Sequence, residues 1–128
     1  YLVNAGGKTA GVYYYLGRAY YGAGKYGLAE EQFKKAIEIK PTWGIVRYYL
    51  GLCFYMTGRA DNAEMEFLTA VYRKPDFAQA HYALGVLYND RNDYANALLF
   101  FKKAVDTNPE DNLKQKILSY MEKITKKK

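Results

Sequence analysis

At 128 residues, half of them hydrophobic and a quarter charged, the chain is long enough to bury roughly two-thirds of its unfolded surface and to fold without a disulfide or metal. A single cysteine excludes an internal disulfide, and no run of about 18 apolar residues marks a membrane span. The net charge of +6 gathers at one end, with six lysines in residues 114–128, so the body of the chain is close to neutral.

Taken in chain order, residues 1–9 (YLVNAGGKT) show no helical periodicity. They read as a linker or as the tail of an upstream element, with Tyr1-Leu2-Val3 where a helix would finish. Because the chain opens on Tyr and not Met, a piece or processed form of something longer is expected. Paired helices then follow at a fixed interval: 10–22 and 26–39, 43–56 and 60–73, 77–90 and 94–107. Gly24, Gly58 and Asn92 close the first helix of each pair, where the residue after the cap takes a left-handed conformation that Gly adopts freely and Asn tolerably. Pro41, Pro75 and Pro109 close the second, since proline cannot continue the hydrogen-bond ladder. A last helix over 112–125 carries Leu113, Ile117, Met121 and Ile124 on one stripe, with Lys114, Lys116, Glu122 and Lys123 elsewhere. It reads as a cap whose polar side closes the open end of a stacked array. Beyond it lies a Lys-rich tail.

The interval is 34 residues. Leu16-Gly17, Leu50-Gly51 and Leu84-Gly85 recur at that spacing, and each is followed by an aromatic (Tyr20, Phe54, Tyr88), a small residue (Ala29, Ala63, Ala97), a phenylalanine (Phe33, Phe67, Phe101), an alanine (Ala36, Ala70, Ala104) and the proline. Small residues at the Gly and first Ala slots let two helices cross closely, and the large ones fill the space around the crossing. This order of residues resembles the tetratricopeptide repeat, over residues 10–111. The resemblance implies an all-α solenoid of three helix-turn-helix hairpins (10–43, 44–77, 78–111) with a capping helix at 112–128, wound as a right-handed superhelix. It also implies a protein-binding scaffold and not an enzyme.

The residues themselves offer little catalytic chemistry. His81 is the sole histidine, in register with Tyr13 and Arg47, and reads as a packed structural residue. Cys53 falls inside a first helix and reads as a buried, inert thiol. One His and one Cys, 28 residues apart, cannot assemble a metal site or a nucleophilic triad, so no metal and no cofactor is expected. Gly22-Ala23-Gly24-Lys25 lacks the spacing of a phosphate loop and follows a helix, which makes it a helix stop. Glu30-Glu31 beside Lys34-Lys35 reads as salt bridges on a solvated face.

Tyrosine is the distinguishing residue, 15 of 128. The family resemblance places first helices along a concave inner face, and register maps that face to Tyr14, Arg18 and Tyr21, then Tyr48, Leu52 and Tyr55, then Tyr82, Val86 and Asn89. Tyr15 and Tyr49 flank the row; Ile45 and Gln79 lie a turn earlier, Met56 and Asp90 a turn later. Two readings stand side by side: aromatics that only pack between helices, or a recognition groove, for which tyrosine's large area and few rotors suit it. The co-chaperone subfamily that clamps a C-terminal carboxylate resembles this chain only in its scaffold: at the clamp positions stand Tyr14, Arg18, Tyr49, Gln79 and Ala83, so the clamp is missing and Arg18 alone could meet a carboxylate.

The expected function is capture of a partner protein or peptide segment in this tyrosine-lined groove. The alternative is a structural or self-assembly module of a larger protein, its groove filled by a flanking segment or a neighbouring chain. Nucleic-acid binding is not favoured, because the Leu-Gly, Ala and Pro slots fit this repeat better than RNA-reading helical repeats. The terminal lysines read first as a solvated tail and otherwise as a salt-sensitive contact to an acidic protein, nucleic acid or membrane. A cytoplasmic home is the default expectation, with an extracytoplasmic one left open.

Overall fold

The computed structural model describes residues 6–127, so the readings of Tyr1-Leu2-Val3 and of Lys128 lie outside the described residues. Among the described residues there are seven helices and no strand: α1 (Gly6–Gly22), α2 (Tyr26–Ile39), α3 (Gly44–Met56), α4 (Ala60–Arg73), α5 (Ala78–Asp90), α6 (Tyr94–Asp106) and α7 (Asp111–Lys127). They form two compact units divided after Arg73. Unit 1 holds the hairpins α1–α2 and α3–α4, with α3 packed on α2; unit 2 holds the hairpin α5–α6, with α7 packed on α6.

Six helix positions match the spacing-based expectation to within one residue at each start. The exception is α1, which begins at Gly6 and not near residue 10. Gly6 and Gly7 have no side chain with which to display a periodic face, so this first turn leaves no trace in the hydrophobic pattern.

The stops work through backbone geometry. Gly24 (φ 77), Gly58 (φ 80) and Asn92 (φ 60) take the left-handed conformation. Lys25, Arg59 and Asp93 then donate their backbone N–H to the carbonyls of Tyr20, Phe54 and Tyr88 at 2.9, 2.8 and 2.9 Å. This pairing satisfies carbonyls that the helix end would otherwise orphan, and it fixes the angle at which the second helix departs.

Each hairpin closes on one contact between a glycine and a phenylalanine. A Cβ added at Gly17 or Gly51 would stand 2.5 or 2.7 Å from ring carbons of Phe33 or Phe67, and Gly85 meets Phe101 as tightly. Phe33, Phe67 and Phe101 are fully buried, as are Ala29, Ala63 and Ala97 at the crossings. The 34-residue pattern is therefore a pattern of helix crossings: the missing Cβ is where the ring goes.

Stacking of hairpins shows in a second set of positions. On α3, Val46, Leu50 and Cys53 are 0–2% exposed. At the same register on α1, Val12 is 55% and Leu16 44% exposed, and Ala19 is exposed as well. At the other end, α7 buries Leu113, Ile117 and Ile124, while Met121 is half-buried.

Candidate interaction surface

On unit 1 the row residues of α1 and α3 gather around a ring that the sequence mapping had placed at the edge. Tyr49 lies at the centre: its centroid is 5.2 Å from Tyr48, 6.0 Å from Tyr14, 6.1 Å from Tyr21 and 5.7 Å from Phe33, on which it stacks. Tyr14 also leans on Trp43 at 4.9 Å and on Tyr15 at 5.0 Å. Arg18 spreads its guanidinium over this group, 5.6 Å from the Tyr14 ring and 5.5 Å from the Tyr49 ring, a cation held by two aromatic quadrupoles. It is exposed and has no carboxylate partner among the described residues.

Tyr14 is buried; Tyr21, Tyr48, Leu52 and Tyr55 are half-buried. Burial raises the pKa of Tyr14, an effect that the neighbouring Arg18 charge partly offsets, and burial followed by Tyr26 raises that of Tyr21. Both hydroxyls therefore stay protonated and able to donate at physiological pH. Tyr49 and Trp43 belong to the cluster although the mapped row omitted them. Tyr49's place at a clamp position was the available signal for it; for Trp43, at the N-cap of α3, it was Phe77, an aromatic N-cap at the same slot 34 residues on.

Unit 2 carries Tyr82, Val86 and Asn89, all half-buried. Tyr82 touches Phe101 at 6.1 Å and Tyr120 of α7 at 6.0 Å, and burial followed by Tyr120 raises its pKa. Tyr120 in turn stacks on Phe101 at 5.2 Å. The amide Oδ1 of Asn89 is buried without a hydrogen-bond partner among the described residues.

The residues set aside as structural keep that character. His81 is buried; its Nε2 stands 2.8 Å from the Pro75 carbonyl, which can only accept, so Nε2 carries the proton and donates. Arg47, at the same register, donates to the Pro41 carbonyl at 3.1 and 3.2 Å and pairs with Glu66 at 3.2 Å. Both tie a first helix to the proline that precedes it. Cys53 is fully buried, and desolvation pushes its thiol up to about 12. Glu30 pairs with Lys34 at 2.7 Å and with Arg59 at 2.5 Å. Among the described residues no three His, Cys, Asp or Glu side chains come together as a metal cluster.

Models of the tetratricopeptide repeat match residues 10–43 and 78–111, together just over half of the chain. With the glycine–phenylalanine crossings and the left-handed helix stops, this makes the chain a member of the tetratricopeptide-repeat family. No curated protein matches the sequence. Among solved structures, the type III secretion chaperone SycD of Yersinia enterocolitica, in complex with a peptide of the translocator YopD, superposes with a TM-score of 0.90 at 18% identity, over 99% of this chain and 98% of that one. The first tetratricopeptide domain of Spaghetti, bound to an HSP90 peptide, gives 0.86 at 16% identity over 97% and 96%. MamA gives 0.76 at 26% identity, over 84% of this chain, which spans 62% of MamA.

Proposed function

We propose that this chain is a protein-protein interaction scaffold that holds a partner segment against the tyrosine-lined faces of its first helices. The observation that carries this reading is the cluster of Tyr14, Tyr48 and Tyr49 with Arg18 lying across two of the rings and no carboxylate to neutralise it. Half-buried tyrosines offer contact area already fixed in place, so little rotamer entropy is lost on binding. Two of the proteins that superpose on this chain were solved with a bound peptide, which supports the same reading.

The test is the affinity of a captured partner for the parent and for Tyr48→Ala and Tyr82→Ala, by calorimetry. Each substitution is expected to weaken binding by about 1–3 kcal/mol, the range of interface hot spots, with modest salt dependence. Melting temperatures run alongside, because Tyr82 also packs on Phe101 and Tyr120. Unchanged affinity in folded variants, with binding lost on deletion of Lys126–Lys128, would move recognition to the basic tail.

A second reading, a self-assembly module, draws on the exposed Val12 and Leu16, whose register counterparts on α3 are buried. Sedimentation velocity on the parent and on a Val12→Glu, Leu16→Glu variant decides it: a concentration-dependent dimer in the parent alone supports assembly.

A further inference from the structure

The way α7 is seated says more than that it closes unit 2. In unit 1, Tyr49 of α3 stacks on Phe33 (5.7 Å, 23°) and meets Tyr14 edge-on (6.0 Å, 61°). In unit 2, Tyr120 of α7 stacks on Phe101 (5.2 Å, 25°) and meets Tyr82 edge-on (6.0 Å, 68°). Phe33 and Phe101 hold the same repeat slot, and so do Tyr14 and Tyr82, so α7 docks on its hairpin as α3 docks on the one before it, with Tyr120 in the place of Tyr49. The buried residues agree: Val46 and Cys53, three before and four after Tyr49, correspond to Ile117 and Ile124, three before and four after Tyr120.

This superposition assigns the face of α7 that continues the row. The positions flanking Tyr49 on that face are Ile45, four residues before, and Leu52, three after; their counterparts are Lys116 and Lys123. Both lysines are exposed, and neither has a carboxylate partner among the described residues. The acids nearby on α7 are otherwise engaged or off this face, with Glu122 paired to Lys126 at 3.3 Å. Where unit 1 presents tyrosines and one arginine from α1, unit 2 presents tyrosines flanked by two unpaired lysines from its capping helix.

Resting on the groove reading, we infer that Lys116 and Lys123 form a basic subsite on the face of unit 2, and that its occupant is a peptide segment with carboxylates about three residues apart. Seven residues of helix separate the lysines by about 10 Å, which an extended peptide covers in about three residues. Charge complementarity selects the acidic segment, and exposed pairs of this kind add specificity and rate of encounter more than affinity. A nucleic acid fits less well, because Tyr120 already spends one ring face on Phe101 and meets Tyr82 edge-on.

The experiment uses the full chain and fluorescence anisotropy with three probes: a fluorescein-labelled peptide of three Glu-Leu-Tyr units, its counterpart with Gln for every Glu, and a labelled oligouridine of equal length. The Glu peptide is expected to bind about tenfold more tightly than the Gln peptide at low salt, the sum of two exposed charge pairs. Lys116→Gln with Lys123→Gln should bring that ratio to about one, leave the Gln peptide unaffected and keep the parent's melting temperature. Deleting Lys127 and Lys128, which leaves the Glu122–Lys126 pair in place, should leave the ratio intact. Equal affinity for the two peptides in the parent, no binding of either at millimolar concentration, a preference that survives the double substitution or follows the tail, or tighter binding of the oligouridine through the same lysines overturns the inference. Tyr82→Ala separates it from the groove reading. That variant should weaken both peptides alike; if it weakens neither while the ratio still follows the lysines, the groove reading fails alone.

Discussion

Units 1 and 2 build the same three-ring contact from different material. In unit 1 the tyrosine that stacks on the crossing phenylalanine, Tyr49, comes from the first helix of a repeat; in unit 2 it is Tyr120, from α7, the helix packed on α6. The crossing glycines, Gly17 and Gly51 in one unit and Gly85 in the other, are equally tight. Charge differs: an arginine lies over the rings in unit 1, while α7 of unit 2 exposes Lys116 and Lys123. Packing geometry is thus held constant while the electrostatics of the exposed face vary, as expected where steric contacts in the core tolerate little change and solvated charges tolerate much.

The comparison breaks most severely if α7 is removed. Deleting residues 112–128 exposes the surface covered by Leu113, Ile117 and Ile124 and should cost unit 2 about 5 kcal/mol or more, much of the stability of a small domain. Urea unfolding followed by circular dichroism reads this directly, and a truncated chain as stable and as monomeric as the parent would make α7 a projecting arm.

A smaller and more symmetrical effect is expected at the crossings. Gly51→Ala and Gly85→Ala should each destabilise by about 1–3 kcal/mol, because the added methyl collides with a buried ring. Gly11→Ala, on α1 with open space around it, should instead stabilise by up to about 1 kcal/mol through helix propensity. Unequal costs at Gly51 and Gly85 would show that the two hairpins are not equivalent after all.

The least effect belongs to unit 1 alone. Hydrogen bonding from Arg59 holds the Glu30 carboxyl below its usual pKa, with Lys34 adding to it. A depressed folded-state value means that the contribution is fully present above the unfolded pKa and fades as pH falls. The melting-temperature gap between the parent and Glu30→Gln should therefore be open at neutral pH and close as pH drops below 4.5. A gap that persists in acid would point to packing, not charge.

Repeat spacing made the helix pairs legible because crossings and stops demand particular residues: only a glycine leaves room for Phe33, and only Gly or Asn turns the corner at positions 24, 58 and 92. It did not reveal the start of α1, where two glycines carry no pattern. Nor did it rank Tyr49 above its neighbours. A linear register identifies the face a residue occupies, while Tyr49's centrality arises from rings contributed by α1, α2 and α3 together. Tyr120 escaped for a related reason: it belongs to a helix read through its aliphatic stripe, Leu113, Ile117, Met121 and Ile124, and its role appears only once Phe101 and Tyr82 are placed around it.

Cys53 gives unit 1 a built-in clock. It is the chain's one thiol, fully enclosed, and with its pKa pushed up to about 12 it stays protonated while folded. A thiol-modifying reagent meets a reactive sulfur only when that enclosure opens, so the labelling rate counts openings of unit 1 and is blind to those of unit 2 unless the two are coupled. Comparing that rate with global unfolding shows whether the two units breathe together or apart.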